Sequence, residues 1–350
     1  MVEPNITEER LEPPTVTMVL KSKQATKSVK MSLTNKAAIA GLIITVFYFL
    51  IGLLDLIYPG YLGVSGSMSN AVTTFHGNYS LTTPQGLFSG GWFLFGGTSY
   101  GLPVLPVAFA AVKFDLGFSL FVVLVGAGIG MIAGLYAGVS NGIIDKIISK
   151  FSDFFVQIPV IGLAVIIAAV LNLGYEGFAF ALAITWWPLY AGRTRNMVRS
   201  TKKKMYIMSS VASGDSRTKI AFYHVFPNIL PDIAIRIILD LGLVFELLAT
   251  VDFLNIGGIN PYLPEIGNMM RWGDAYIGTS YWWPLVIPGI FIIGFGVGVY
   301  LLGTGLKSSL NRKKWRFSNT LNIRDLLLKM AFSVNQTPIN LFLPAMSGCC

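Results

Sequence analysis

The chain has 350 residues, of which 53% are hydrophobic and only 12% charged, whereas a soluble domain of ordinary composition carries about 25% charged residues. The formal net charge is +9. The placement of that charge, described below, excludes a nucleic-acid partner. The only cysteines, Cys349 and Cys350, are adjacent at the C-terminus; they exclude a disulfide framework or a cysteine metal centre and are read as an unmodified tail end.

In chain order, residues 1–36 are polar, with Pro4, Pro13 and Pro14 followed by Lys21, Lys23, Lys27, Lys30 and Lys36, and read as a basic juxtamembrane arm. Six apolar stretches then predict membrane spans at 37–58, 117–139, 152–173, 176–192, 229–251 and 283–306. The first, at 1.5 Å per residue, reaches about 33 Å, enough to cross the hydrocarbon layer. The fold class is therefore an all-α polytopic membrane protein. Residues 59–116 form an external loop. Within it, 87–112 is apolar but broken by Gly90, Gly91, Gly96, Gly97, Gly101, Pro103 and Pro106, and reads as an external or re-entrant segment. Asn78-Tyr79-Ser80 in this loop is a glycosylation sequon, and His76 beside it reads as solvated. The third and fourth spans are joined by a tight turn near Asn172, Gly174 and Tyr175. Residues 307–350 form a tail, in which 321–333 has helical spacing of Leu and Met.

Orientation follows from the cations. Of the 26 Lys and Arg residues, 23 fall in 1–36, 140–150, 193–220 and 307–350. The positive-inside rule places all four segments, and both termini, in the cytoplasm of a multi-pass plasma-membrane protein. The basic balance then faces anionic lipid headgroups.

The most informative polar stretch is 193–228. A helix rich in small residues is predicted up to Gly214, which tolerates the positive φ of a helix end. Asp215 and Ser216 can cap the next helix, and Pro227 and Pro231 punctuate the entry to the fifth span. Two short cytoplasmic helices joined at Gly214 would offer a partner a docking knob. In the spans, Asp55 lies near an outer end, where headgroup exposure explains it. Asp240 and Glu246 lie deeper in the fifth span. Six residues apart, they point about 240° away from each other around a helix of 3.6 residues per turn, so at most one lines a translocation path. The other pairs with a neighbour, and Arg236 stands four residues before Asp240.

These residues resemble the cytoplasmic Glu-Ala-Ala loop of ABC importer permeases of the dipeptide and oligopeptide type. Tyr206 and Ile207 precede Met208-Ser209-Ser210, Gly214 sits at the family's glycine, and His224-Val225-Phe226-Pro227-Asn228 follows at the family's distance, with Pro231 beyond it. Trp187-Pro188-Leu189-Tyr190-Ala191 and Arg195 are similar to the end of the preceding helix. Phe253-Leu254-Asn255-Ile256-Gly257 and Gly267-Asn268-Met269 resemble two downstream motifs. The likeness covers about 37–310. Departures are Met208 for the family's Glu, Leu248 for an acidic residue with Glu246 two positions earlier, Ile266 for a Trp, and the absence of acidic residues after Gly97-Thr98.

The resemblance implies the type I importer permease fold, in the C-type subunit of peptide systems. It implies that the loop around Tyr206, Met208, Ser209, Ser210, Ala212, Gly214, His224 and Pro227 couples to an ATPase, with small Ser209, Ser210 and Ala212 letting the helix sit deep in a groove. It further implies a second permease subunit, two cytoplasmic ATPase subunits that carry ATP and Mg, and an extracellular substrate-binding protein delivering oligopeptides or oligosaccharides. The chain has no phosphate-binding Gly-Lys-Ser/Thr loop, so it is expected to bind no cofactor and not to be an enzyme. An autonomous secondary transporter or channel is the alternative, and it would predict inverted repeats. A membrane enzyme would need clustered His, Asp or Glu within reach of one face.

Overall fold

The computed structural model describes residues 35–58, 84, 86–98, 100–140, 142–171, 174–256 and 263–334, with side chains through Leu310. His76, Asn78, Cys349 and Cys350 lie outside the described residues. The chain divides into two units. One is residues 32–306; the other combines 1–31 with 307–350, and of it only a helical stretch, 307–334, is described, with side chains to Leu310. The described residues form helices and turns with a single isolated bridge, Gly97 to Pro103, and no strand.

The helices are α1 (Lys36–Ile57), α2 (Val104–Ser140), α3 (Ile143–Gln157), α4 (Val160–Leu171), α5 (Gly174–Lys202), α6 (Met205–Ala212), α7 (Phe226–Phe253), α8 (Ile266–Asp274) and α9 (Trp283–Val334). Among the described residues three stretches are long and apolar enough to cross a membrane unaided: α1, α2 and Trp283–Leu310 of α9. Helices α5 and α7, with 29 and 28 residues, have the length but carry charged residues. Helices α3 and α4 meet at a 92° bend. The predicted straight span at 152–173 is thus broken. The break falls at Ile158 and Pro159: a residue before proline is pushed to extended backbone, and Ile158 has φ −86°, ψ 134°. Helix α3 is amphipathic, exposing Ile143, Ile147, Phe151 and Phe154 while burying Asp145 and Ser152.

Helix α2 begins at Val104, where the predicted span began at 117. Residues 104–112, read from their glycine and proline neighbours as external or re-entrant, are the buried first turns of this helix. Pro106 sits in the first turn, where its missing N–H is no loss. At 37 residues, α2 is about 55 Å long, well beyond the hydrocarbon thickness.

A row of glycines, Gly126, Gly130, Gly134 and Gly138, lies at spacing four on one face of α2 and lets α5 approach backbone to backbone. A Cβ on Gly130 would stand 2.3 Å from the Trp187 carbonyl oxygen, and one on Gly134 would stand 2.5 Å from that of Ala191. Close approach through small residues is how helices associate where lipid removes the hydrophobic drive. Two cores result. One joins α2, α5 and α7 through Val122, Leu135, Phe178, Leu182, Val244 and Leu248. The other joins α1, the start of α2, α8 and α9 through Tyr48, Val107, Ile266, Trp283 and Phe295. Tyr48 OH donates to the Phe291 carbonyl at 2.8 Å. Asp55, explained from sequence by headgroup exposure, is instead 2% exposed. It is paired with Lys113 at 2.6 Å, because a carboxylate this far from water needs a cation.

Candidate functional site

The helix ends that carry the cations form one end of the fold, here the basic end. Helix α5 continues to Lys202 and α7 begins at Phe226, so within the polar stretch only 203–225 lies between the two long helices. Helix α6 fills its first part. Ile207, 1% exposed, is its single buried residue and joins the α2–α5–α7 core. The remainder faces outward, with Met205, Tyr206, Met208 and Val211 exposed. Ser209 and Ser210 turn their hydroxyls back to the Tyr206 carbonyl at 3.0 and 3.1 Å, and Ala212 ends the helix.

Gly214 performs the stop expected of it. Its φ is +83°, its N–H donates to the Val211 carbonyl, and the Asp215 N–H donates to that of Ser210, both at 3.1 Å. This is the paired closure of a Schellman motif, which only glycine enters without strain. Ser216 then caps the next turn by accepting from the Lys219 N–H at 3.3 Å. The expected second short helix is not a separate element. Residues 217–219 run into a π-helical turn, Ile220–Val225, and this merges with α7. Asp215 has a different task from capping: its carboxylate takes Lys219 Nζ at 2.6 Å and His224 Nε2 at 3.4 Å. The hydrogen bond from Lys219 holds its carboxyl below the usual carboxylate range. Pro227 stands in the first turn of α7, and Asn228 Nδ2 donates to the His224 carbonyl at 2.6 Å.

Two further sets of charges lie along the helices that carry this loop, one near its base and one deeper in the fold. Asp145 of α3 is gripped by Arg195 and Arg199 of α5. On α7, Asp240 is 2% exposed; it accepts from Arg236 (2.7 and 3.0 Å) and from Tyr190 OH (2.7 Å). The expected Arg236–Asp240 pair therefore exists, with Tyr190 as a third member. The incompletely buried face of α7 runs through Asp232, Arg236, Leu239, Leu243, Glu246 and Thr250, at spacings of four and three. The six-residue separation puts Asp240 and Glu246 on different faces, one buried and one exposed. Both nevertheless border one groove of about 460 Å³ between α7 and α9, closed on the far side by Gly296, Val297 and Tyr300.

The opposite end holds a feature that the sequence reading missed. Asp115 of α2, Asp252 of α7 and Glu265 before α8 are 0%, 1% and 0% exposed. The Ile266 N–H donates to Asp115 at 3.2 Å, and Asn268 Nδ2 donates to Glu265 at 3.1 Å. Among the described residues no cation lies within salt-bridge distance of these three. Burial, then the neighbouring carboxyls of Asp252 and Asp115, push the Glu265 carboxyl far above its usual range, so it keeps its proton at neutral pH. In the sequence only Asp115 and Asp252 stand beside predicted spans, and no local pattern links them to Glu265. Gly267 marks the tight seat of α8: a Cβ there would stand 2.3 Å from the Ala249 carbonyl. Among the described residues no group of His, Cys, Asp and Glu is arranged to hold a metal ion.

Residues 130–312 match the family described as binding-protein-dependent transport system inner membrane component, which spans the region from α2 to α9. The chain belongs to that family. It is an ABC importer permease. The permease is 28% identical over 287 residues to the dipeptide transport system permease protein DppC of Alkalihalophilus pseudofirmus, covering 80% of this chain and 86% of the relative. It is 25% identical over 281 residues to DppC of Haemophilus influenzae, covering 80% and 91%. It is 26% identical over 214 residues to the nickel transport system permease protein NikC of Escherichia coli, covering 60% and 76%. Membership sets aside the autonomous transporter or channel and the membrane enzyme. The permease is a multi-pass membrane subunit of an importer, not itself an enzyme.

Proposed function

We propose that the permease forms half of a translocation pathway for short peptides and is driven by a cytoplasmic ATPase that docks on α6. The observation that carries this reading is α6 itself. It is a surface helix held by one buried side chain, with Met205, Tyr206, Met208 and Val211 exposed beside a dense set of cations. An exposed apolar patch with a polar rim marks an interaction surface. The family's acidic residue is Met208 here, so the contact relies on shape and apolar area more than on a salt bridge. Ser209, Ser210 and Ala212 keep that surface low enough to enter a groove.

In this reading the basic end and both termini face the cytoplasm, as the distribution of cations favours. Two ATPase subunits supply the nucleotide site with ATP and Mg, a second permease supplies the other half of the path, and an extracellular binding protein delivers the substrate. The α7 stripe supports the pathway. Asp232, Arg236 and Glu246 on a half-open face would be expensive against lipid and are expected to meet water, substrate or the partner permease. Glu246 lines the path, and Asp240 holds Arg236 in place from behind. Peptide is favoured over oligosaccharide and over nickel by the dipeptide relatives that span most of this chain.

The test is ATP hydrolysis by the complex purified from native membranes with its binding protein, challenged with a dipeptide mixture, oligosaccharides and nickel chloride in turn. Stimulation by the dipeptides alone supports the reading. Stimulation by either of the others reassigns the substrate, and absence of a co-purified ATPase refutes docking. Gly214→Pro and Ser210→Trp should each lower coupled hydrolysis by tenfold or more, on the order of 1.4 kcal/mol.

A further inference from the structure

Helix α6 is flanked by two cations that reach the same place. Lys202, the last residue of α5, donates from Nζ to the carbonyls of Gly138 and Val139 at 3.3 and 3.2 Å. Arg217, five residues past the end of α6, donates from Nη1 to the carbonyl of Ser140 at 3.2 Å. These are the final carbonyls of α2. They have no partner within their own helix, and they form its negative pole. The bonds are to backbone, so they fix α6 to the axis of α2 whatever side chains α2 carries.

The link from α6 to α7 differs in kind. It passes through the π-helical turn 220–225, whose wider hydrogen-bonded rings are a local interruption of helical geometry. Among the described residues its ionic tie is the half-buried Asp215 to Lys219 and His224.

We infer that Lys202 and Arg217 are positioning residues that bolt both flanks of the docking helix to the end of α2, so that a displacement of α6 is passed to α2 as one rigid body. The inference rests on the proposal that α6 receives an ATPase. Its consequence is specific to α2. That helix is locked along α5 by the glycine row and runs to the opposite end, where Asp115 holds the first N–H of α8. Motion imposed at the basic end therefore has a continuous path to the α8 region, while the π turn lets α7 follow with some freedom.

The experiment uses the whole complex with Cys349 and Cys350 changed to Ser and spin labels at Ser213, just past α6, and at exposed Ile132 on α2. The label distance is read without nucleotide and with ATP plus orthovanadate. The parent should give one narrow distance that is the same in both states. The Lys202→Met, Arg217→Met double variant should broaden it, or shift it by about 2 Å or more between states, on the scale of helix displacements in switching proteins. Lys202→Arg, which keeps a cationic donor, should restore the parent distribution when Arg217 is intact. A double variant that matches the parent in both states, or a parent whose own distance changes between states, overturns the inference. Failure of docking is seen separately, as a complex without ATP hydrolysis. Even then, an unbroadened distribution in the double variant overturns the bolt.

Discussion

The two ends of the permease handle carboxylates in opposite ways. At the basic end every acid that the loop region uses is matched or outnumbered by cations: Asp145 by Arg195 and Arg199, Asp215 by Lys219, with His224 also in reach. At the opposite end Asp115, Asp252 and Glu265 are buried away from water, Asp115 and Glu265 each accepting one hydrogen bond, with no ion pair among the described residues. The first arrangement holds charge in fixed directions, which suits a rigid surface. The second keeps Glu265 away from water beside other acids, where burial and those neighbours favour its protonated form.

The sharpest way to break the comparison is at Asp145. Asp145→Ala leaves Arg195 and Arg199 without their common anion, and should lower stability by about 2 kcal/mol, less than for a fully buried pair because both arginines keep contact with water. Denaturant unfolding in mixed micelles at constant detergent composition would measure it.

Glu265→Gln should act in the other direction. Folding raises the Glu265 carboxyl above its unfolded value, so its contribution is fully present at low pH. That contribution is lost as pH rises past the unfolded value of a glutamate toward the folded one. The parent should therefore lose stability steadily from pH 5 to 9. The variant, neutral throughout, should lose less and exceed the parent by on the order of 2 kcal/mol near pH 8. Parallel pH profiles for the two proteins would refute the proton-held reading of this end.

Smaller effects test what lies between the ends. Tyr190→Phe removes one donor from Asp240 while Arg236 remains, which should cost about 1.5–2 kcal/mol, the low end of the range for a hydrogen bond to a charged group. Ser152→Ala breaks the bond from its hydroxyl to the Pro188 carbonyl, 2.8 Å long, and should cost about 1 kcal/mol. Both are read by the same unfolding assay.

The sequence made the helical, membrane-crossing character plain because hydropathy and the distribution of cations are averages over many residues. It also marked Gly214, Ser216 and the Arg236–Asp240 pair, whose spacing alone fixes their chemistry. It misplaced the start of α2, because Pro103 and Pro106 look like breakers until one sees that they sit before and within the first turn, where proline belongs. The third span read as continuous because hydropathy is indifferent to direction. Only the extended backbone at Ile158 reveals that the chain turns through 92° there. The carboxylate cluster was illegible because Asp115, Asp252 and Glu265 are spread over 150 residues and share no periodicity. Nothing local announces that three elements converge on them.

The π-helical turn 220–225 also sets a phase. It carries one residue more than an α-helical path between Ser216 and Phe226 would need, and that surplus fixes the azimuth of everything on its N-terminal side relative to α7. Deleting Tyr223 would let the segment relax into ordinary α-helix with its two flanks close to their present phase. Carried in an ordinary α-helix instead, the same surplus residue would rotate the preceding chain by about 100° and push it out by about 1.5 Å. Lys202 and Arg217 could not both keep their carbonyls through such a rotation. The wide turn thus takes up one residue of slack and keeps α6 in step with the helices on either side of it.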